Sequence, residues 1–292
     1  MNNLDNIEIL FEDQDIAVIN KPAGVVVNQA DTNREMSIQE WWEERPEFAQ
    51  QATARNFSWK ELVPEDYPTE FGTPEQIFEE RGGIVHRLDK ETSGVMVLAK
   101  NPGALLNLLS QFRKREVQKQ YQCLVHGKFQ VEKDTINLPL ARSPENRLRY
   151  QVMPDGRPAS TEYEVAQFFP HINVEKANAF IHERFPTATD LPRPLPKKLR
   201  STYQGFSLVN CWPKTGRTHQ IRVHLSHLKH PIVADEIYLG HKRDQLDHLW
   251  CKRLFLHALE LKFTHPRTNK KVVFKTALPA ELTQALTLLD LD

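Results

Sequence analysis

The stretch Ile84–Lys100, IVHRLDKETSGVMVLAK, constrains the chain more than any other. Ile84 and Val85 lead into a polar loop. Val95, Met96, Val97, Leu98 and Ala99 lead out of it, a run dense enough to predict a buried strand. Between the two apolar runs stand His86, Arg87, Asp89, Lys90, Glu91, Thr92, Ser93 and Gly94. Ser93-Gly94 is a turn signal, because glycine adopts backbone angles that other residues avoid. A turn between two buried strands holds its side chains on a rigid frame, and here that frame presents Asp89, a carboxylate two residues from Arg87. Fixed presentation is what catalysis requires of a nucleophile or base.

Around this stretch the chain predicts an α+β fold with a mixed, mostly antiparallel central β-sheet and flanking helices and loops. Ile7–Phe11 and Ile16–Ile19 read as short strands; Lys21-Pro22-Ala23-Gly24 is a turn leading to a further strand at Val25–Val27. Ser37-Ile38-Gln39-Glu40 has the form of a capping box ahead of a helix through Trp41-Trp42, and Thr73-Pro74 starts another helix with proline at its first position. Asn101-Pro102 opens an amphipathic helix in which Leu105, Leu108, Leu109 and Phe112 recur at helical spacing. Strands are expected at Val117–Val125, Arg147–Met153, Ser160–Phe169, Phe206–Trp212, Leu254–Phe263 and Lys271–Lys275. Thr218 is expected to cap a helix running through His219 to Leu228, and Pro279–Leu289 to form a terminal helix. The 292 residues read as one domain with two insertions, an acidic one over about 31–82 and a Pro-rich one over about 170–203 that forms a loop with one helix.

The formal net charge is zero, but its distribution is uneven. Between Glu40 and Glu80 eleven acidic residues stand against three basic ones, and between Asp190 and His230 eight basic residues stand against one acidic. A neutral total is compatible with one basic face for an anionic partner, and equally with two solvated surfaces. No apolar run approaches the ~20 residues of a membrane helix. The acidic start MNNLDNIEILFEDQD has no basic-then-apolar leader pattern, so a cytoplasmic protein is the default expectation. Cys123, Cys211 and Cys251 are far apart and form no C-x-x-C pair, against a disulfide framework or a cysteine zinc site. Neither G-x-G-x-x-G, a Walker loop nor G-x-S-x-G occurs. His219, His224, His227 and His230 crowd one segment, without H-E-x-x-H and with the nearest carboxylates, Asp235 and Glu236, beyond Pro231. Surface and packing histidines are the better reading there, and no metal or cofactor is expected.

As a set the polar motifs resemble the RluA-type pseudouridine synthases. They are KPAG (Lys21–Gly24), HRLDKETSG (His86–Gly94), K-x-Y (Lys119, Tyr121), KTGRTHQIRVHL (Lys214–Leu225) and LHALELKFTHP (Leu256–Pro266), in the family's order from about Ile7 to the C-terminus. The resemblance implies an isomerase that converts specific uridines of ribosomal or transfer RNA to pseudouridine. Asp89 would be the catalytic aspartate, and Arg87 would fill the space the flipped uridine leaves. Tyr121 would lie against the uracil as the group that takes the proton from C5, Arg222 would pair with Asp89, and Ile221 would pack on the base. His86, Thr92, Lys119, Lys214, Arg217 and His219 would complete the substrate-binding and RNA-binding set. The reaction breaks a carbon–nitrogen glycosidic bond, turns the base and forms a carbon–carbon bond, with no oxidant, metal or group donor. The base must leave its stack at a cost of a few kcal/mol, which phosphate contacts from Arg87, Lys214 and Arg217 would partly offset.

Some relatives carry a separate RNA-binding module before the catalytic core. None is expected here, and the target is then a compact element such as a tRNA arm or one ribosomal hairpin. The basic end of the Pro-rich insertion would add RNA contact, and the acidic insertion would face away. RNA is the expected partner, with no membrane and no protein partner inferred. The alternatives are a non-catalytic RNA-binding protein on the same fold and a metal-dependent hydrolase using the His219–His230 cluster.

Overall fold

A computed structural model describes Leu4 and residues 7–28, 36–45, 57–67, 70, 72–186, 199 and 201–291. In chain order its elements are β1 (Glu8–Glu12), β2 (Ile16–Lys21), α1 (Ile38–Glu43), a 3-10 helix (Phe57–Leu62), α2 (Pro74–Arg81), β3 (Ser93–Ala99), α3 (Pro102–Lys114), β4 (Gln118–His126), β5 (Lys133–Asn137), β6 (Leu140–Arg142) and β7 (Tyr150–Val152). There follow β8 (Ser160–Phe169), β9 (His171–Ile172), α4 (Val174–Arg184), β10 (Phe206–Pro213), α5 (Gln220–His227), α6 (His241–Trp250), β11 (Leu256–Thr264), β12 (Lys271–Lys275), α7 (Ala280–Thr287) and β13 (Leu289–Asp290). The fold is α+β, as expected, and mostly antiparallel. It divides into two compact units, Met1–Lys119 with Ala258–Thr276, and Gln120–His257 with Ala277–Asp292. Among the described residues no helix is long and apolar enough to cross a membrane.

In the first unit β2 pairs antiparallel with both β1 and β3, β3 neighbours β11, and β12 folds back on β11. All seven residues of β3 are buried. Successive side chains of a strand point to opposite faces, and here they divide between two apolar cores. Val95, Val97 and Ala99 join Ile16 and Val18 of β2 and Leu105 and Leu108 of α3. Met96 and Leu98 join Ala17, Ile19, Ile84 and, from α1, Ile38 and Trp42. A strand covered on both faces reads as an unbroken apolar run, which is why this one was visible in the sequence.

Three of the predicted caps form. Ser37 Oγ accepts from Glu40 N while Glu40 Oε2 accepts from Ser37 N, Thr73 and Gln76 do the same for α2, and Asn101 Oδ1 accepts from Ala104 N at α3. Asp15, fully buried between β1 and β2, ties three segments. It takes two bonds from Arg267 at 2.6 and 2.7 Å and one from Asn101 Nδ2 at 2.9 Å, and its own carbonyl accepts from Lys100 N.

The second unit runs β4-β10-β8-β5. Cys123 and Val125 of β4 and Val209 and Cys211 of β10 share a core with Ile181, Leu225, Trp250, Phe255 and Leu282. The described part of the Pro-rich segment is mainly α4, whose Ala177 and Ile181 are buried in that core with Leu199 and Tyr203. Its remainder, 187–198 and residue 200, lies outside the described residues, as does much of the acidic stretch.

Several expectations are corrected. Val25–Val27 is not a strand: the Val26 and Val27 carbonyls accept from Ile38 N and Gln39 N at the start of α1, and the Val25 carbonyl accepts from Lys21 Nζ. Ile84 makes a single bridge to Leu98 rather than a strand. Ser93-Gly94 belongs to β3, and the turn before it is closed by Thr92 N donating to Asp89 O. Thr218 does not cap α5; His219 occupies that position at φ +55° with no side-chain cap bond. The Arg147–Met153 strand shortens to β7, while β5 and β6 were missed because β5 buries only Ile136 and β6 only Leu140.

Candidate active site

Asp89 begins the four-residue turn that Thr92 N closes on its carbonyl at 3.0 Å. Buried Leu88 precedes it, buried Thr92 and Ser93 follow it, and Asp89 itself is half-buried. The turn is fastened from outside by Lys21, the lysine of KPAG, which has no exposed surface. Its Nζ donates to the carbonyls of Pro22 at 2.8 Å, Val25 at 2.7 Å and Lys90 at 3.2 Å, and Gly24 N donates to the Lys90 carbonyl at 2.8 Å. Charge-assisted bonds to main-chain carbonyls are among the stronger ones. The two motifs are thus one structure, with the ammonium at its centre and the Asp89 turn on its rim. The Thr92 hydroxyl is buried with no hydrogen-bond partner among the described residues.

Gly94 explains why the turn is followed by glycine. Its φ is +122°, and a Cβ there would lie 2.2 Å from the Ala258 carbonyl oxygen of β11. Both the backbone angle and the space exclude a side chain. Gly94→Ala is expected to destabilise the protein by about 2–4 kcal/mol, read from urea unfolding.

His86 braces the arm that leads to the turn. Its ring stacks on Phe112 of α3, centroids 4.8 Å apart, and its Nε2 accepts from Val97 N of β3 at 3.1 Å. An acceptor Nε2 requires the neutral ring. Consistently, burial, helped by the Lys119 charge, pushes the imidazole down to about 3. Unfolded, His86 titrates near 6.5. Between those pH values the unfolded chain binds a proton that the folded chain does not. Stability is therefore intact above 6.5 and falls as the pH drops toward 3. His86→Gln keeps an acceptor without the titration; its loss of unfolding free energy between pH 7 and pH 5 should be smaller than wild type's by about 1–2 kcal/mol. Lys119 is half-buried on β4, where burial lowers its ammonium to about 8. Arg87 is exposed.

In the second unit α5 carries Arg222, 5% exposed, and Asp235 grips it along one edge. Arg222 Nε donates to Oδ2 at 2.9 Å and Nη2 to Oδ1 at 2.7 Å. The Tyr238 ring centroid lies 5.2 Å from the guanidinium carbon. The Tyr238 hydroxyl meets His219 Nδ1 at 3.0 Å and accepts from Tyr150 N at 3.0 Å. Ile221, beside Arg222, is buried in the unit's apolar core, and Tyr121 lies half-buried against that core on β4, opposite Cys211 of β10.

The KTGRT loop is organised by Gln220. Its Oε1 accepts from the Thr215 hydroxyl at 2.6 Å and from Arg217 N at 3.1 Å, and its Nε2 donates to Ser160 O and Thr161 Oγ1. Lys214 pairs with Glu162 at 2.9 Å, and Arg217 Nε donates to the Pro158 carbonyl at 3.1 Å. Three of the histidines that crowd this segment, His219, His224 and His230, have separate partners. His224 spans Thr161 Oγ1 and the Leu138 carbonyl, and burial lowers its affinity for a second proton. His230 bonds the His126 carbonyl and stacks on Phe129. Among the described residues no three His, Cys, Asp or Glu side chains are grouped to hold a metal ion.

Asp89, His86, Arg87, Thr92 and Lys119 thus belong to the first unit, and Tyr121, Lys214, Arg217, His219, Ile221 and Arg222 to the second. Sequence reasoning missed Asp235, Tyr238 and Gln220. It noticed Asp235 only as a carboxylate beyond Pro231, and it quoted Lys21 without giving it a contact.

Residues 15–227 match the model of the RNA pseudouridylate synthase family, and the chain belongs to that family. This agrees with the RluA-type resemblance of its motifs. Over 202 residues it is 40% identical to an uncharacterized RNA pseudouridine synthase of Chloroflexus aurantiacus, covering 69% of this chain and 52% of that protein. It is 36% identical to ribosomal large subunit pseudouridine synthase C of Vibrio cholerae, covering 70% and 54%. Against ribosomal large subunit pseudouridine synthase D of Xylella fastidiosa it is 32% identical, covering 98% and 70%. The chain therefore spans about half the length of the first two of these relatives. Human RNA pseudouridylate synthase domain containing 1 superposes with a TM-score of 0.58 at 22% identity, covering 94% of this chain and 84% of that one. Human RNA pseudouridylate synthase domain containing 4 gives 0.59 at 20% identity, covering 97% and 94%. These two share its fold.

Proposed function

We propose that this protein is an RNA pseudouridine synthase with Asp89 as its catalytic aspartate, acting on large-subunit ribosomal RNA in the cytoplasm. The observation that carries the reading is the fastening of the Asp89 turn by the buried Lys21 ammonium and Gly24 N. A catalytic carboxylate must keep one position while the substrate base turns, and main-chain anchoring of its turn provides that. Family membership supports the activity, and the names of the Vibrio and Xylella relatives support the choice of RNA.

In the proposed reaction the target uridine leaves its stack and Asp89 acts on it. The bond from C1′ to N1 breaks, the uracil turns, a bond from C1′ to C5 forms, the C5 proton is removed and N1 takes up a proton from solvent. Tyr121 receives that proton, and Ile221 packs on the base. Arg222 pairs with Asp89. Exposed Arg87 fills the gap in the RNA, and Arg217 contacts phosphate. Lys214, already sharing its charge with Glu162, contributes less. The test is pseudouridine mapping of all cellular RNA with and without the gene. The reading expects discrete large-subunit sites to vanish in its absence; unchanged maps contradict the activity, and loss confined to transfer RNA contradicts the substrate.

A further inference from the structure

The Arg222–Asp235 pair invites a question of purpose. Both side chains are almost wholly buried, at 6% and 0% exposure. Taking two charges out of water costs several kcal/mol per ion, so a buried pair is a poor device for stability alone. An apolar pair at these positions would serve the neighbouring core, Ile221 and Leu225 on the same helix, equally well. Asp235 is itself held in place. Its Oδ1 also accepts from Ile237 N at 3.1 Å and Tyr238 N at 3.2 Å, and its carbonyl accepts from Tyr238 N and Leu239 N.

We propose that Asp235 is a positioning residue that fixes the plane of the Arg222 guanidinium, with Tyr238 as its second clamp. The inference rests on the reading that Arg222 attends the catalytic aspartate. A guanidinium is planar and donates in fixed directions. Once Asp235 takes the Nε–Nη2 edge, the direction of the Nη1 edge is set. The carboxylate grips the group edge-on, and the guanidinium carbon lies over the Tyr238 ring, 5.2 Å from its centroid. That ring is locked in turn, because its hydroxyl is tied to His219 on one side and to the β7 main chain on the other. Asp235 and Tyr238 act on substrate only through Arg222.

The experiment measures tritium release from total RNA, labelled with [5-3H]uridine in cells lacking the protein, using purified full-length variants. Asp235→Asn is expected to lower kcat about 100-fold with KM for RNA within about twofold, since misplacing a reacting group by an ångström costs that much. Asp235→Asn combined with Arg222→Lys should be no slower than Arg222→Lys alone, because the carboxylate works through the arginine. A folded Asp235→Asn with wild-type kcat, or multiplicative losses in the double variant, overturns the proposal. Should Asp235→Asn fail to fold, Tyr238→Phe decides: it keeps the ring and loses both ties, and kcat should fall about 3-fold to 10-fold at unchanged KM. An unchanged kcat overturns the proposal. Wild-type protein that releases no tritium removes the functional reading as well, whereas an active wild type with a full-speed Asp235→Asn removes this inference alone.

Discussion

Asp89→Asn is expected to leave the protein folded and to abolish tritium release from [5-3H]uridine-labelled RNA, a loss of about 10⁴-fold or more. The two halves of this expectation rest on different atoms. The fold depends on the Asp89 main-chain carbonyl, which closes the turn with Thr92 N, and on the Lys90 carbonyl, which Lys21 and Gly24 hold. Asparagine keeps all of these and nearly the same shape. What it removes is the negative charge, and the proposed chemistry has no substitute for it. Thermal unfolding within about 2 °C of wild type, together with unaltered RNA affinity, would show that the lost rate is chemical. Appreciable turnover by the folded variant would remove Asp89 from its assigned role.

A second large effect, on stability, is expected at Asp15, far from this chemistry in its role. Asp15→Asn should lower the unfolding free energy by about 3 kcal/mol, read from urea denaturation. The wild-type carboxylate has no exposed surface and takes three donors, two from Arg267 and one from Asn101 Nδ2. Asparagine presents one oxygen and one amide where Arg267 needs two acceptors, and the amide nitrogen faces a guanidinium donor. Arg267 is 27% exposed, so water recovers part of the loss, which places the expectation at the low end for a broken buried pair. The Asn101 contact also couples Asp15 to the cap of α3, so cooperativity should be retained while stability drops. The kcat of the molecules that remain folded should equal that of wild type.

The sequence was most informative where one physical rule decided a local structure. The run Val95–Ala99 is dense enough to read as a buried strand, and the Ser37, Thr73 and Asn101 caps were readable because each donor and acceptor lies three residues from its partner. It was least informative where a local preference met a distant partner. Val25–Val27 is β-branched throughout and reads as strand, but α1 takes its carbonyls first. Thr218 is a good cap by type, yet the loop before α5 is set by Gln220, whose bonds reach Ser160 and Thr161 some sixty residues back. In the site, the motifs named Asp89 and Arg222 by family likeness, while their supports were invisible. Lys21 reaches the Lys90 carbonyl across 69 residues, and Asp235 reaches Arg222 across 13 residues and a proline. His86 is instructive as well. Its place in the motif suggested RNA contact, whereas its ring is occupied by Phe112 and Val97 N.

The central claim is that this chain isomerises uridine in RNA. The most direct measurement incubates the purified wild-type protein with excess [5-3H]uridine-labelled total RNA and follows tritium released and pseudouridine formed in the same samples. The account predicts that both rise together, one for one, to a plateau at a small number of sites, and that Asp89→Asn protein gives neither. A folded wild-type protein that binds the RNA, yet releases no more tritium than Asp89→Asn, would contradict it.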